Sequence, residues 1–162
     1  LADVGELGQI AVKRPDPVMF LQYWGRPEAT AQKFIGDWMT TGDQGIVDDE
    51  GYVTFVGRDD DVITSSGYRI GPGEIEDCLI THPAVALAAV IGKPDPVRTE
   101  IVKAFVVLKK GHAPSDQLMG DIQQFVRTRL SAHEYPREVA FIDEMPMTTT
   151  GKIIRRLLRE RA

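Results

Sequence analysis

Apolar residues fall into short groups along the chain, and their spacing predicts the elements. Leu7, Ile10 and Val12 alternate weakly through residues 5–13 and predict a strand that ends at Pro15 and Pro17. Arg26, Pro27 and Glu28 put proline and an acid at the start of a helix, predicted to run through Ala29 to about Ile35 and to stop at Gly36. Asp48, Asp49, Glu50 and Gly51 stand between the apolar runs 45–47 and 52–56, a hairpin pattern. Further on, Ile75, Leu79 and Ile80 predict a helix over 73–81, closed by Pro83. Residues 84–91 and 101–108 are apolar, β-branched runs that predict paired, buried strands. The two prolines of residues 92–98 predict a loop between them. Ser115 is placed to cap a helix whose apolar stripe is Leu118, Ile122, Val126 and Leu130. A short strand at 139–142, a Thr-rich loop at 145–151 and a basic helix at 153–161 complete the pattern. The chain therefore reads as α+β: a β-rich beginning, then a mixed sheet flanked by helices.

Charge divides the chain in the same way. The 162 residues carry 24 acidic and 19 basic side chains, a net charge of −5. Residues 1–57 hold 9 acidic and 4 basic, whereas residues 58–162 hold 15 of each. The polar stretch that joins them, with Arg58 and three consecutive aspartates, is the expected boundary: 1–57 on one side, 58–162 on the other. A net acidic chain does not fit a general nucleic-acid binder. No window approaches the roughly 20 apolar residues that span a bilayer. The single cysteine, Cys78, excludes an internal disulfide and a multi-cysteine zinc site, reads as a small core residue, and leads us to expect a reducing, cytoplasmic setting. The chain starts at Leu1 with no leader pattern, and we expect it to be a piece of a longer protein.

Four stretches could carry chemistry. In Thr40-Thr41-Gly42-Asp43, a carboxylate beside a glycine turn can accept two hydrogen bonds from a vicinal diol such as a ribose, or it can cap its own turn. Asp59, Asp60 and Asp61 repel one another, but oxygen-ligand loops space their ligands with glycine and use more of them, so a solvated inter-domain turn is the better reading and no metal site is expected. Residues 65–74 contain Gly67, Gly71 and Gly73, which let backbone approach a ligand, and Arg69, which can grip a phosphate; a plain turn fits them equally well. Lys152 follows a Thr/Gly loop and could bring an ammonium to a phosphate or carboxylate. That loop is not a P-loop, because it lacks the earlier glycine and the following Ser/Thr. Arg155, Arg156, Arg159 and Arg161 are expected on a solvated helix face. His82, His112 and His133 show no ligand spacing and read as surface or capping residues.

The order and spacing of these stretches are more specific than any one of them. Thr-Gly-Asp (41–43), Gly-Arg-Asp-Asp-Asp (57–61), Ser-Gly-Tyr-Arg-Ile-Gly-Pro-Gly-Glu-Ile-Glu (66–76) and Pro-x-Thr-x-x-Gly-Lys-Ile-x-Arg (146–155) resemble the C-terminal portion of the adenylate-forming superfamily. His82-Pro83-Ala84-Val85, Pro94-Asp95-Pro96-Val97-Arg98 and Tyr135-Pro136-Arg137 are most similar to medium-chain acyl-CoA synthetases. The resemblance implies the end of a large ATP- and acyl-binding domain followed by a small mobile lid. It also implies a two-step reaction in which a carboxylic acid and ATP give an acyl-adenylate, and CoA then gives the thioester and AMP. It implies that Lys152 enters the site for adenylation, that Asp43, Arg58 and Arg69 serve the nucleotide, and that Asp60 is the hinge. Ser66, Gly67, Tyr68, Arg98, Arg127, Tyr135, Pro136 and Arg137 are the implied CoA residues. Mg²⁺ would accompany ATP, bound mainly upstream, and the large domain would be a partner in cis. Met147 and Thr150 stand where lysine and serine are frequent in the family. Two rivals remain at this point: an adenylation enzyme that loads a carrier protein, and a stand-alone, non-catalytic lid or binding module. Without the upstream pockets, the fragment alone is expected to be inactive.

Overall fold

A computed structural model describes all residues, Leu1–Ala162. They form two compact units, Leu1–Asp60 and Asp61–Ala162. No helix is long and apolar enough to cross a membrane.

The first unit contains β1 (Leu7–Lys13), α1 (Pro27–Ala31), β2 (Phe34–Ile35), β3 (Trp38–Val47) and β4 (Val53–Arg58). Strand β3 is the organiser, pairing antiparallel with β1, β2 and β4. The helix predicted to reach Ile35 ends at Ala31, and Phe34 and Ile35 instead pair with Met39 and Trp38. The turn between them uses Gly36 at φ 58°. The extended backbone stacks Phe34 on Phe20 at 6.0 Å and under the Arg14 guanidinium at 4.1 Å, contacts that outweigh a weak local helix preference. Thr41, Gly42 and Asp43, read from sequence beside a turn, lie within β3.

The second unit contains β5 (Ile63–Ser65), β6 (Tyr68–Ile70), α2 (Pro72–Ile80), β7 (Val85–Asp95), β8 (Thr99–Leu108), α3 (Asp116–Arg127), β9 (Glu138–Phe141) and α4 (Arg155–Arg159). Its sheet runs β6-β5-β8-β7, with β9 added parallel to β8. The period of two in a strand gives this sheet two apolar faces. Ala88, Val90, Val102, Ala104 and Val106 meet Ile75 and Leu79 of α2 and Ile122 and Val126 of α3. Ala89, Ile91 and Phe105 face the other way, toward Met145 and Leu158 of α4. Each fully buried Leu or Ile contributes about 1.5–3 kcal/mol. Ser115 Oγ accepts the Leu118 N–H at 3.1 Å, and the α3 stripe packs as its spacing predicts.

One loop differs from expectation, and one glycine stretch takes the turn reading. The loop expected at 92–98 shrinks, because Gly92 through Asp95 continue β7 in register with Val102 through Thr99. Pro94 is tolerated there because β7 is an edge strand, where a missing N–H breaks no ladder. The glycine stretch around Ser66-Gly67 is a hairpin turn between β5 and β6, with φ values of 50° and 85°. That is the two-residue turn geometry that favours Gly at the second position.

Candidate functional site

In the first unit, Asp43 and Arg58 face each other in register across β3 and β4. Arg58 Nη1 donates to Asp43 Oδ1 at 3.0 Å, and Arg58 Nε lies 3.5 Å from Asp60 Oδ1. Desolvation is the largest single influence on Arg58 and pulls its pKa down, but the bond to Asp43 and the charges of Asp60 and Asp43 together hold it above its ordinary value. Gly42 makes this pairing possible: a Cβ there would sit 3.0 Å from the guanidinium, and its φ of 86° suits glycine. The result is a carboxylate that is oriented and still partly open, which suits a diol acceptor.

The three consecutive aspartates have three separate environments. Asp59 accepts a hydrogen bond from Gln44 Nε2, and Asp60 is largely exposed beside Arg58. Asp61 is 11% exposed and is gripped by two arginines, Arg155 Nη1 at 3.2 Å and Arg159 Nη2 at 2.6 Å. This corrects the reading of a uniformly solvated turn. It also corrects the reading of α4, since Arg155 is turned inward and donates to both oxygens of Glu76 at 2.8 Å. Arg156 and Arg161 are on the exposed side as expected. Asp61, Glu76, Arg155 and Arg159 are the residues that local pattern missed. Asp61, Glu76 and Arg155 did stand inside quoted motifs, but Arg155 is 79 positions from Glu76 and 94 from Asp61 in the chain.

Lys152 sits at the end of a closed turn rather than a loose loop. Its N–H donates to Thr148 Oγ1 at 3.0 Å, its carbonyl accepts the Thr148 N–H at 2.8 Å, and Gly151 N–H donates to the Thr148 carbonyl at 2.9 Å. Met147 and Ile153 bridge outside that ring. The backbone of Lys152 is thereby fixed, its side chain is exposed, and the freedom to move belongs to the four-carbon stem.

The eight implied CoA residues gather into two groups. Ser66 and Gly67 form the β5–β6 turn, Arg98 Nη1 donates to Ser66 Oγ at 3.2 Å, and Tyr68 stacks on His133 at 4.0 Å. Nearby in sequence, Arg137 donates to the Tyr135 hydroxyl at 3.2 Å, and Arg127 lies 5.5 Å from the Tyr135 ring. Arg127, Tyr135 and Arg137 line a cavity of about 290 Å³ with Gly120, Gln123 and Gln124. Pro136 is buried and gives its carbonyl to Gln123 at 3.1 Å, so its part is to fix its two neighbours. Arg69 lies on β6 opposite Thr64, exposed. His82 is buried, not at the surface: Nδ1 accepts the Ala84 N–H at 3.2 Å and Nε2 lies 3.2 Å from Asp121. Cys78 is half-buried against the core, and burial pushes its thiol pKa up, away from reactivity. No three His, Cys, Asp or Glu side chains come together to hold a metal ion.

With this geometry in view, the match to a known family is specific. Residues 74–152, from the first turn of α2 to the exposed lysine, match the AMP-binding enzyme C-terminal domain. The chain carries an AMP-binding enzyme C-terminal domain. The acetyl-coenzyme A synthetase of Bacillus subtilis is 49% identical over 94% of the chain, which spans 27% of that relative. The human mitochondrial acyl-coenzyme A synthetase ACSM1 is 49% identical over 97% of the chain and 28% of its own length. The crystal structure of the anthranilate CoA ligase AuaEII with anthranoyl-AMP superposes with a TM-score of 0.86, at 39% identity over 99% of the chain and 31% of that protein. The α+β fold is thus that of adenylate-forming enzymes, and the chain spans less than a third of each of these relatives.

Proposed function

We propose that this chain is the C-terminal part of an ATP-dependent acid–CoA ligase: residues 1–57 finish the large domain, and residues 58–162 form its mobile lid, hinged near Asp60. The observation that carries the reading is Lys152, an exposed ammonium on a hydrogen-bonded turn, within a chain alignable almost end to end with acyl-CoA synthetases. In the first step a carboxylate oxygen attacks the α-phosphorus of ATP, and pyrophosphate leaves. Two anions meet in that step, and Lys152 bridging carboxylate and α-phosphate relieves their repulsion and fixes their approach. Asp43, aligned by Arg58, accepts from the ribose hydroxyls, and Arg69 faces a phosphate. In the second step the CoA sulfur attacks the acyl carbon and AMP leaves. The Ser66–Gly67 turn with Tyr68 borders the path of the pantetheine arm. Arg98, Arg127 and Arg137 with Tyr135 take the CoA nucleotide, whose phosphates suit guanidinium forks. Mg²⁺ would travel with ATP and find its ligands upstream. A cytoplasmic setting is our reading from the lone cysteine, although the human relative is named mitochondrial. The acyl pocket belongs to the upstream domain.

The test uses the full-length ligase and separates the half-reactions. Lys152→Ala should reduce carboxylate-dependent pyrophosphate exchange by roughly 100-fold or more, while thioester formation from supplied acyl-adenylate is largely kept. Equal loss in both steps would reject the role. Turnover with free CoA against a phosphopantetheinylated carrier protein decides the acceptor. Exchange activity in the 162-residue chain alone would overturn the proposal that the fragment is inactive.

A further inference from the structure

Three residues beyond Lys152, Arg155 joins parts of the second unit that are far apart in the chain. One terminal nitrogen, Nη1, donates to Asp61 at 3.2 Å; the other, Nη2, donates to both Glu76 oxygens at 2.8 Å. Glu76 in turn accepts the Val90 N–H at 2.8 Å, which ties the cluster to β7. Arg159 adds a second grip on Asp61. The Arg155, Asp61 and Glu76 side chains are 20%, 11% and 15% exposed. Arg155 Nε is buried without an acceptor. A buried ion cluster of this kind is weak evidence for stability, since desolvation offsets much of the attraction; its best-attested use is to fix one arrangement among several.

The arrangement fixed here is the seat of Lys152. The closed turn spans Thr148 to Lys152, and Ile154 N–H donates to the Pro146 carbonyl at 2.9 Å, so the segment between that turn and Arg155 has little slack. We propose that Arg155 is a positioning residue for adenylation: by holding Glu76 and Asp61 it sets the direction of the Lys152 turn relative to the first residue of the second unit. Asp61 follows the proposed hinge residue directly, so the ion cluster makes hinge and lysine turn two ends of one rigid lever. Lysine at position 155 would keep the charge but could not span two carboxylates, because an ammonium lacks the planar fork.

The inference rests on the role proposed for Lys152, and its test keeps the two apart. In the full-length ligase, Arg155→Lys and the milder Glu76→Gln should lower kcat for pyrophosphate exchange by roughly 100-fold for the first, the loss a misplacement of about 1 Å brings, and by less for the second. KM for ATP and thioester formation from acyl-adenylate should change little. Hydrogen exchange at the Lys152 and Ile154 amides should accelerate in both variants. Because Arg155 acts through Lys152, adding Arg155→Lys to Lys152→Ala should cost nothing further in adenylation. Equal loss in both half-reactions, additive losses in the double variant, or unchanged exchange at those amides would overturn the proposal. If the amides accelerate but Lys152→Ala spares adenylation, the failure lies in the role given to Lys152.

Discussion

Glu138 shows how one side chain can hold an element in place. It lies on β9, the one strand that joins its sheet in parallel, and accepts from Lys93 Nζ at 2.7 and 2.9 Å with Lys103 Nζ at 3.3 Å. The bond from Lys93 is the main cause that holds its carboxyl below the usual range; burial opposes it and Lys103 reinforces it. A carboxyl whose folded pKa is depressed contributes stability that is fully present above the unfolded pKa and is lost as pH falls through the folded one. Glu138→Gln should therefore destabilise the fold at neutral pH, by less than about 1 kcal/mol since the site is partly open, and lower the melting temperature accordingly. The gap should close below about pH 4. Melting curves of both proteins across that range check this, and a gap independent of pH would count against an ionic role. Glu138 also explains why a charged residue, Lys103, is tolerated nearly buried on β8.

At the level of elements, the β5–β6 hairpin is braced from outside its own two strands. Thr64 N–H donates to Glu100 at 2.7 Å, Ser66 N–H to the Arg98 carbonyl at 2.9 Å, and Asp95 caps the Arg98 N–H at 2.7 Å. Glu100 can reach Thr64 only because position 92 has no Cβ, which would lie 2.4 Å from its carboxylate. Gly92→Ala should displace Glu100, costing about 1–3 kcal/mol, and should slow thioester formation more than adenylation. Thermal melts and the two half-reaction rates measure this, and an unchanged melt would show that Glu100 is not held there. None of this bracing is visible in local pattern. Sequence spacing did locate α2, α3, β7 and β8, because their apolar stripes each meet a core of matching period. It misplaced Phe34 and Ile35, whose strand depends on a partner across a turn. It also ended β7 too early, since only the sheet order shows that Pro94 is on an edge. The candidate site was legible as motifs. Its internal wiring, from Asp61 and Glu76 to Arg155, required the fold to bring together residues 79 and 94 positions apart.

On the scale of the whole molecule, the two units differ in what holds them. Every buried hydrophobic side chain lies at Ile63 or beyond. The first unit keeps Thr40 and Gln44 inside and leaves Val18, Leu21, Trp24, Ile35, Val53 and Phe55 exposed. A unit of that size without a buried apolar core is marginal by itself. Limited proteolysis of the 162-residue chain should first cut before Asp61 and leave a resistant fragment beginning near it. Early cleavage within the second unit would contradict this account of its stability. The boundary between the units falls between Asp60 and Asp61, and there three copies of one letter perform three tasks. Substitution can address them singly, and Asp60, the exposed one, should be the most forgiving in the fold. Deletion cannot. Removing any of the three leaves the same two-aspartate sequence, so the chain has no way to lose one chosen copy. The length of the run is therefore as much a part of the structure as its chemistry.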